Sequence, residues 1–273
     1  MSTFTRLVRF LAKDGQIYYG DAILPSGVSD IAKATKARVI QGDIFGQYRI
    51  LDQVAEIKLL LAPLARKDIG TVRCLGLNYE QHAKESNLPI PKYPVLFFKP
   101  LTSISAPGDD IPVPQIAQEG EGLDYESKPL NMFWVMLLAM MFLTEIGRSS
   151  GVEGSGGLGK GFDGWAPFGP GIVSSNVIAD PNSLHISTKL NGQTVQSSST
   201  RDMIFGVAKT IAFLSQGTTL LPGDLIFTGT PQGVGMGRKP ALWLKDGDQV
   251  EVSLEGVGSC TNRVVFEKPS SKL

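Results

Sequence analysis

The apolar residues of this chain fall mostly into short runs with a period of two, each closed by glycine, proline or an Asn-Gly pair. That rhythm favours strands and turns over long helices. Gln249-Val-Glu-Val-Ser-Leu-Glu alternates cleanly, and Leu184-His-Ile-Ser-Thr-Lys-Leu alternates up to Asn191-Gly192, a strong hairpin signal. With 31 glycines and 17 prolines in 273 residues, the punctuation is dense enough to exclude a helical bundle.

Residues 1–68 read as a small β-rich module. Its first hairpin turns at Lys13-Asp14-Gly15, between Leu7-Val-Arg-Phe-Leu-Ala and Gln16-Ile-Tyr-Tyr-Gly. A main body spans 69–268, with strands expected at Val72-Arg-Cys-Leu-Gly-Leu-Asn, Pro94-Val-Leu-Phe-Phe-Lys, Leu225-Ile-Phe-Thr and Arg263-Val-Val-Phe. Tyr79 to Ser86 suits a helical turn. Met203 to Leu214 suits an amphipathic helix with Thr200 or Asp202 as its N-cap. Met132 to Leu143 is an unbroken apolar run, too short for a bilayer, which needs ~20 such residues, and its plain reading is a buried helix.

Charge narrows the function. Lys+Arg 26 balances Asp+Glu 26, so the basic surplus that nucleic acid or an anionic membrane surface requires is missing. Cys74 and Cys260 are too few for a disulfide framework and have no zinc-type neighbours. The first residues carry no signal-peptide apolar stretch. A cytoplasmic location is expected, with a mitochondrial one as the alternative.

Four stretches carry chemistry. In Gly76-Leu-Asn-Tyr-Glu-Gln-His-Ala-Lys-Glu85, His82 and Glu85 lie three apart, which on a helical turn places imidazole and carboxylate on one face. A carboxylate that orients a histidine makes a general base, although the pair alone is equally an exposed histidine beside a glutamate by chance. Leu123-Asp-Tyr-Glu126 offers oxygen ligands for a hard cation, or is a solvated acidic turn. Lys160, in Gly159-Lys-Gly-Phe-Asp, suits a substrate carboxylate or enolate, or is a surface lysine. Phe227-Thr-Gly-Thr-Pro-Gln-Gly-Val-Gly235 offers backbone N–H groups and the Thr230 hydroxyl to an anion. It lacks the Gly-Lys-Ser/Thr of a phosphate-binding loop.

In this order the motifs resemble the fumarylacetoacetate hydrolase family. The matching residues are His82 and Glu85, Phe98-Lys99-Pro100, Asp124-Tyr125-Glu126, Gly159-Lys160, Asn191-Gly192, Asp202-Met203-Ile204-Phe205 and Thr228 to Gly235. They cover roughly 72–266 apart from one gap. The resemblance implies a mainly β (α+β) fold of the twisted β-roll type and a homodimer. It implies a Mg²⁺ or Mn²⁺ ion held by three carboxylates and a small 2-oxo acid substrate, cleaved at a carbon–carbon bond through a metal-stabilised enolate. It further implies that His82 and Glu85 activate water from a mobile lid, that Lys160 steadies negative charge, and that Thr230, Gly229 and Lys99 contact substrate.

The stretch 127–157 departs from that pattern. Of the three metal carboxylates only Glu126 is present. Lys128 stands where the family has a glutamate, and the family's Asn-Asp is absent. The genetic code exposes a cause. Taking the third base of one codon with the first two of the next, Met132-Phe133 must give Val, Phe133-Trp134 Leu, Trp134-Val135 Gly, Met140-Met141 Asp and Met141-Phe142 Val. All five fit the family's segment around its metal-binding Asp. The expectation is a deleted strand followed by a shifted frame, with unpaired strand edges, poor stability and weak Mg²⁺ binding in the chain as written. The alternative to an active enzyme is therefore a catalytically impaired isoform.

Overall fold

A computed structural model describes residues 3–118, 122–132, 137–146 and 158–268, with side chains described outside 126–158. Four N-terminal strands, β1 (Arg6–Ala12), β2 (Ile17–Ile23), β3 (Lys36–Gly42) and β4 (Tyr48–Leu60), succeed one another through short turns. β2 pairs both β1 and β3, and β4 pairs both β3 and β1, so the four curl into a closed roll. The first hairpin turns at Lys13-Asp14-Gly15 as the sequence indicates. β1 also pairs β11 (Ala166–Val173), which hydrogen-bonds this module into the main sheet.

The main sheet continues from β11 through β10 (Leu137–Ile146), β9 (Leu123–Met132), β14 (Leu225–Phe227) and β5 (Val72–Gly76) to β6 (Val95–Lys99) at its edge. A second sheet has the order β13 (Gln193–Ser199), β12 (His185–Leu190), β15 (Gln249–Leu254), β16 (Gly258–Phe266) and β8 (Asp110–Val113). The two-residue β7 (Ile104–Ser105) pairs β11. Helices are brief: α1 (Glu80–Glu85), α2 (Gln115–Gln118) and α3 (Val207–Leu214). The mainly β, twisted-roll architecture is therefore the one expected. No helix among the described residues is long and apolar enough to cross a membrane.

The main core lies between the sheets, where Val8 and Phe10 of the roll meet Ile186, Val250, Val252 and Val264 of the second sheet. These are the inward positions of the alternating strands, and burying such a side chain contributes about 1.5–3 kcal/mol. Trp165 is fully buried here and donates its indole N–H to the Pro112 carbonyl at 2.6 Å. The opposite face of the main sheet packs Leu7, Cys74, Phe168, Leu225 and Phe227.

Three local expectations are corrected. The apolar run supplies a strand over Leu137–Ile146 rather than a helix, because it lies between two strand partners. That stretch is also continuous in backbone pairing: β9 pairs β14 and β10, and β10 pairs β11, so the expected unpaired edges are not left there. Lastly, α3 starts at Val207, not Met203. Thr200–Asp202 form a separate 3₁₀ turn, and the helix takes its cap from afar, with the Val207 N–H donating to Asn182 Oδ1 at 3.0 Å. At the second-sheet hairpin, Asn191 (φ 50°) and Gly192 (φ 83°) form the two-residue turn their sequence announces.

Candidate active site

Adjacent strands β5 and β14 run parallel and end together, and the site is built from the loop that leaves each of them. After β5 the chain turns sharply at Leu77, which takes the left-handed region at φ 46°, a conformation uncommon outside glycine. That turn drives Asn78 into the interior, where it is 1% exposed. Its Nδ2 donates to the carbonyls of Thr228 at 2.7 Å and Phe205 at 3.1 Å, and its Oδ1 accepts the Phe205 N–H at 2.8 Å. One amide thus joins three motifs that are distant in sequence. Gly229 completes the contact: at φ 100°, a Cβ there would fall 2.9 Å from Asn78 Cβ.

Helix α1 then carries His82 and Glu85 on one face, as their spacing requires. His82 Nδ1 and the Glu85 carboxylate are 3.4 Å apart, with the two side chains 12% and 21% exposed. Both Glu85 oxygens accept the Gly233 N–H at 3.0 Å, and the carboxylate rests against Gly237, where an added Cβ would meet Glu85 Cδ at 2.7 Å. The carboxylate therefore orients the imidazole while docked on the glycine-rich loop.

Asp124, at the start of β9, has a different use from the metal-facing one that its motif suggests. It is 3% exposed, and its oxygens accept the N–H groups of Gly235 at 2.5 Å and Met236 at 2.8 Å. It caps the 3₁₀ turn Gly235–Gly237 and thereby shapes the same loop. Next to it, Tyr125 is fully buried, and desolvation raises its hydroxyl pKa above the ordinary value against an opposing effect of Arg238. The Arg238 guanidinium donates to the Val195 carbonyl of β13.

Thr230 is 3% exposed under the loop and is met by Gln196 of β13. Lys160 stands on the neighbouring β6 side, its Nζ 5.2 Å from the centre of the Phe97 ring. Lys99, 4% exposed, donates to the Trp165 carbonyl at 3.0 Å and so ties β6 to the segment that carries Lys160. Glu126 lies on β9, but its side chain falls outside the described residues. His82, Glu85, Gly229 and Thr230 thus gather at the ends of β5 and β14, with Lys160 and Lys99 along the β6 flank. His185 is an ordinary strand residue that meets Ser197 Oγ at 3.0 Å.

A metal needs a converging set of oxygen donors. Among the described residues no three His, Cys, Asp or Glu side chains converge, and the Asp124 oxygens already hold two backbone N–H groups. With Lys128 two positions after Glu126, the residues present do not fit a three-carboxylate centre.

Residues 71–128 and 148–265 match the family model described as fumarylacetoacetate (FAA) hydrolase C-terminal. Oxaloacetate tautomerase Fahd2a, mitochondrial, of Rattus norvegicus is 40% identical over 220 residues, spanning 75% of this chain and 69% of the relative. Caffeoylpyruvate hydrolase of Neonothopanus nambi is 35% identical over 291 aligned positions, spanning 98% and 95%. Among solved structures, 2-hydroxyhepta-2,4-diene-1,7-dioate isomerase from Mycobacterium marinum superposes with a TM-score of 0.78 at 28% identity, covering 97% of this chain and all of that one.

Proposed function

The chain belongs to the fumarylacetoacetate hydrolase family, and from that premise we propose that it is a catalytically impaired 2-oxo acid enzyme, keeping the substrate-activating half of its site without the metal-holding half. At family level it is a hydrolase or isomerase acting at carbon–carbon bonds of small organic acids. The observation that carries the finer reading is the contrast between two carboxylates. Glu85 keeps His82 oriented beside the loop, whereas Asp124 is spent on capping that loop.

On this reading the substrate carboxylate meets the Thr230 hydroxyl and the loop N–H groups. His82, oriented by Glu85, takes a proton from water or from the carbon beside the keto group. Lys160 and Lys99 supply positive charge on the β6 flank, with Lys160 the one nearer the developing oxyanion. In the family-wide reaction Mg²⁺ or Mn²⁺ supplies enolate stabilisation, and this chain is proposed to take that ion up weakly. Its substrate class, an acylpyruvate or an oxaloacetate-like acid, is suggested by the names of the rat tautomerase and the fungal hydrolase. Assays on both acid types, with and without Mg²⁺, together with calorimetric Mg²⁺ titration, test the proposal. Slow turnover and weak uptake are expected. Tight stoichiometric uptake would overturn it.

A second reading, a fully active metal-dependent enzyme, gains from the five forced codon junctions. The family match breaks between 128 and 148, where the junctions lie. Alignment with the fungal hydrolase runs over 291 positions against a chain of 273 residues, leaving at least 18 positions without a residue of this chain. A mature message restoring Glu-x-Glu and Asn-Asp in frame would favour this reading. A message that encodes the chain as written would leave the impaired enzyme.

We also propose a homodimer in which the β6 edges of two copies meet, since β6 ends the main sheet with apolar side chains exposed on both faces. A cytoplasmic location remains part of the proposal, with the mitochondrion, as in the rat relative's name, the alternative.

A further inference from the structure

Gln196 lies on β13 of the second sheet, 2% exposed, and reaches across to the glycine-rich loop. Its Nε2 is 3.0 Å from the Pro231 carbonyl oxygen, 3.2 Å from Thr230 Oγ1 and 3.4 Å from the Gln232 carbonyl oxygen. Carbonyl oxygens only accept, so the two carbonyls fix which end of the amide faces the loop: an oxygen there would oppose them both. At the other end, Oε1 accepts the Thr188 hydroxyl at 2.8 Å.

This orientation has a consequence at Thr230. Its oxygen accepts a hydrogen from Gln196, so the hydroxyl keeps its own hydrogen to give. Among the described residues that hydrogen reaches only the Pro231 carbonyl, at a long 3.4 Å, and this acceptor is already served by Gln196. A carboxylate is a stronger acceptor than such a carbonyl. We infer that Gln196 is a positioning residue: by holding the Thr230 oxygen as an acceptor, it directs the Thr230 hydrogen to the carboxylate of a bound 2-oxo acid. The relay runs Thr188 to Gln196 to Thr230 to substrate, and its bonds polarise one another. The same strand grips the loop a second time, where Arg238 donates to the Val195 carbonyl. The inference rests on the reading of Thr230 as a carboxylate-binding residue.

The test compares the full chain with Gln196→Met, Gln196→Glu, Thr188→Val and Thr230→Val, after cooperative thermal melts confirm folding. Scalar couplings of the Thr230 methyl report its side-chain rotamer, and NMR titration with pyruvate reports the affinity of a 2-oxo carboxylate. A single rotamer is expected in the parent chain and averaging in Gln196→Met, with pyruvate affinity falling roughly tenfold, the worth of one hydrogen bond to a charged group. Gln196→Glu turns the Thr230 hydrogen toward itself and should weaken pyruvate at least as much. An unchanged Thr230 rotamer in folded Gln196→Met overturns the inference. So does unchanged pyruvate affinity in that variant if Thr230→Val has lost it. If Thr230→Val binds pyruvate normally, or the parent chain does not bind it, the carboxylate role of Thr230 falls and the rotamer alone decides for Gln196. Should Gln196→Met fail to melt cooperatively, Thr188→Val decides, with partial averaging expected and an unchanged rotamer counting against.

Discussion

Glu85 receives the Gly233 N–H on both of its carboxylate oxygens at 3.0 Å, so the glutamate that orients His82 is also the latch between α1 and the glycine-rich loop. Glu85→Ala should release that latch. The bond is charge-assisted and its side chain is mostly covered, so a cost of roughly 1–2 kcal/mol is expected. Amide hydrogen exchange at Gly233 reads the effect locally. Protection there should drop while the core strands β12 and β15 stay protected. Unchanged protection at Gly233 would mean that the loop stands without Glu85.

Asp124 holds the far end of the same loop. In Asp124→Asn only one oxygen remains to accept, and an amide NH₂ is turned toward a backbone N–H. The expected loss is ~1–3 kcal/mol for a buried donor left unpaired. Denaturant unfolding should show this as a lower midpoint at constant slope. Weak Mg²⁺ uptake should be the same in variant and parent, because Asp124 serves the backbone. A further fall in Mg²⁺ affinity would return Asp124 to the metal side.

Local signals are legible in the sequence. Asn191-Gly192 and Lys13-Asp14-Gly15 announce their hairpins because turn chemistry is settled within a few residues. The His82–Glu85 spacing announces a shared helical face for the same reason. What the sequence conceals is long-range. Asn78 stands within the His82–Glu85 motif, yet its work is done on Thr228 and Phe205, well over a hundred positions away. Gln196 carries no local signal, because its partners Thr188, Thr230 and Pro231 meet it only once two sheets have packed. Asp124 looks like a cation ligand in isolation and becomes a cap when Gly235 arrives. Helix α3 starts later than its apolar pattern indicates because its cap, Asn182, comes from a loop outside the helical pattern. The apolar run of β10 reads as a helix because apolarity without periodicity does not distinguish a buried strand from a buried helix.

The cysteines should be silent in the folded protein. Cys74 is fully buried and Cys260 is 2% exposed, with burial pushing the Cys260 thiol up to about 12. Only the thiolate reacts, so near pH 8 almost none of Cys260 is in the reactive form. A thiol-specific chromogenic reagent should label neither residue in native buffer and both in denaturant. Rapid labelling of either thiol in the native state would contradict the packing around it.

Oligomeric state gives the last prediction. Leu88, Ile90, Tyr93, Val95, Leu96 and Phe98 are each between 37% and 59% exposed, along β6 and the segment that leads into it. An open strand edge with exposed apolar side chains on both faces is a template for another strand. A second copy suits it because a two-fold axis lets β6 meet itself antiparallel and covers both faces at once. The chain's zero net charge opposes no self-association. These side chains leave on the order of 600 Å² per protomer, so a symmetric pair would bury on the order of 1,200 Å², the lower end of specific interfaces. Light scattering of the full chain should therefore give a dimer. Leu96→Lys combined with Phe98→Lys should give a monomer with a similar melt, since both side chains already face solvent in the protomer. A parent chain that is monomeric at micromolar concentration, or a dimer that survives both lysines, would place the contact elsewhere or remove it.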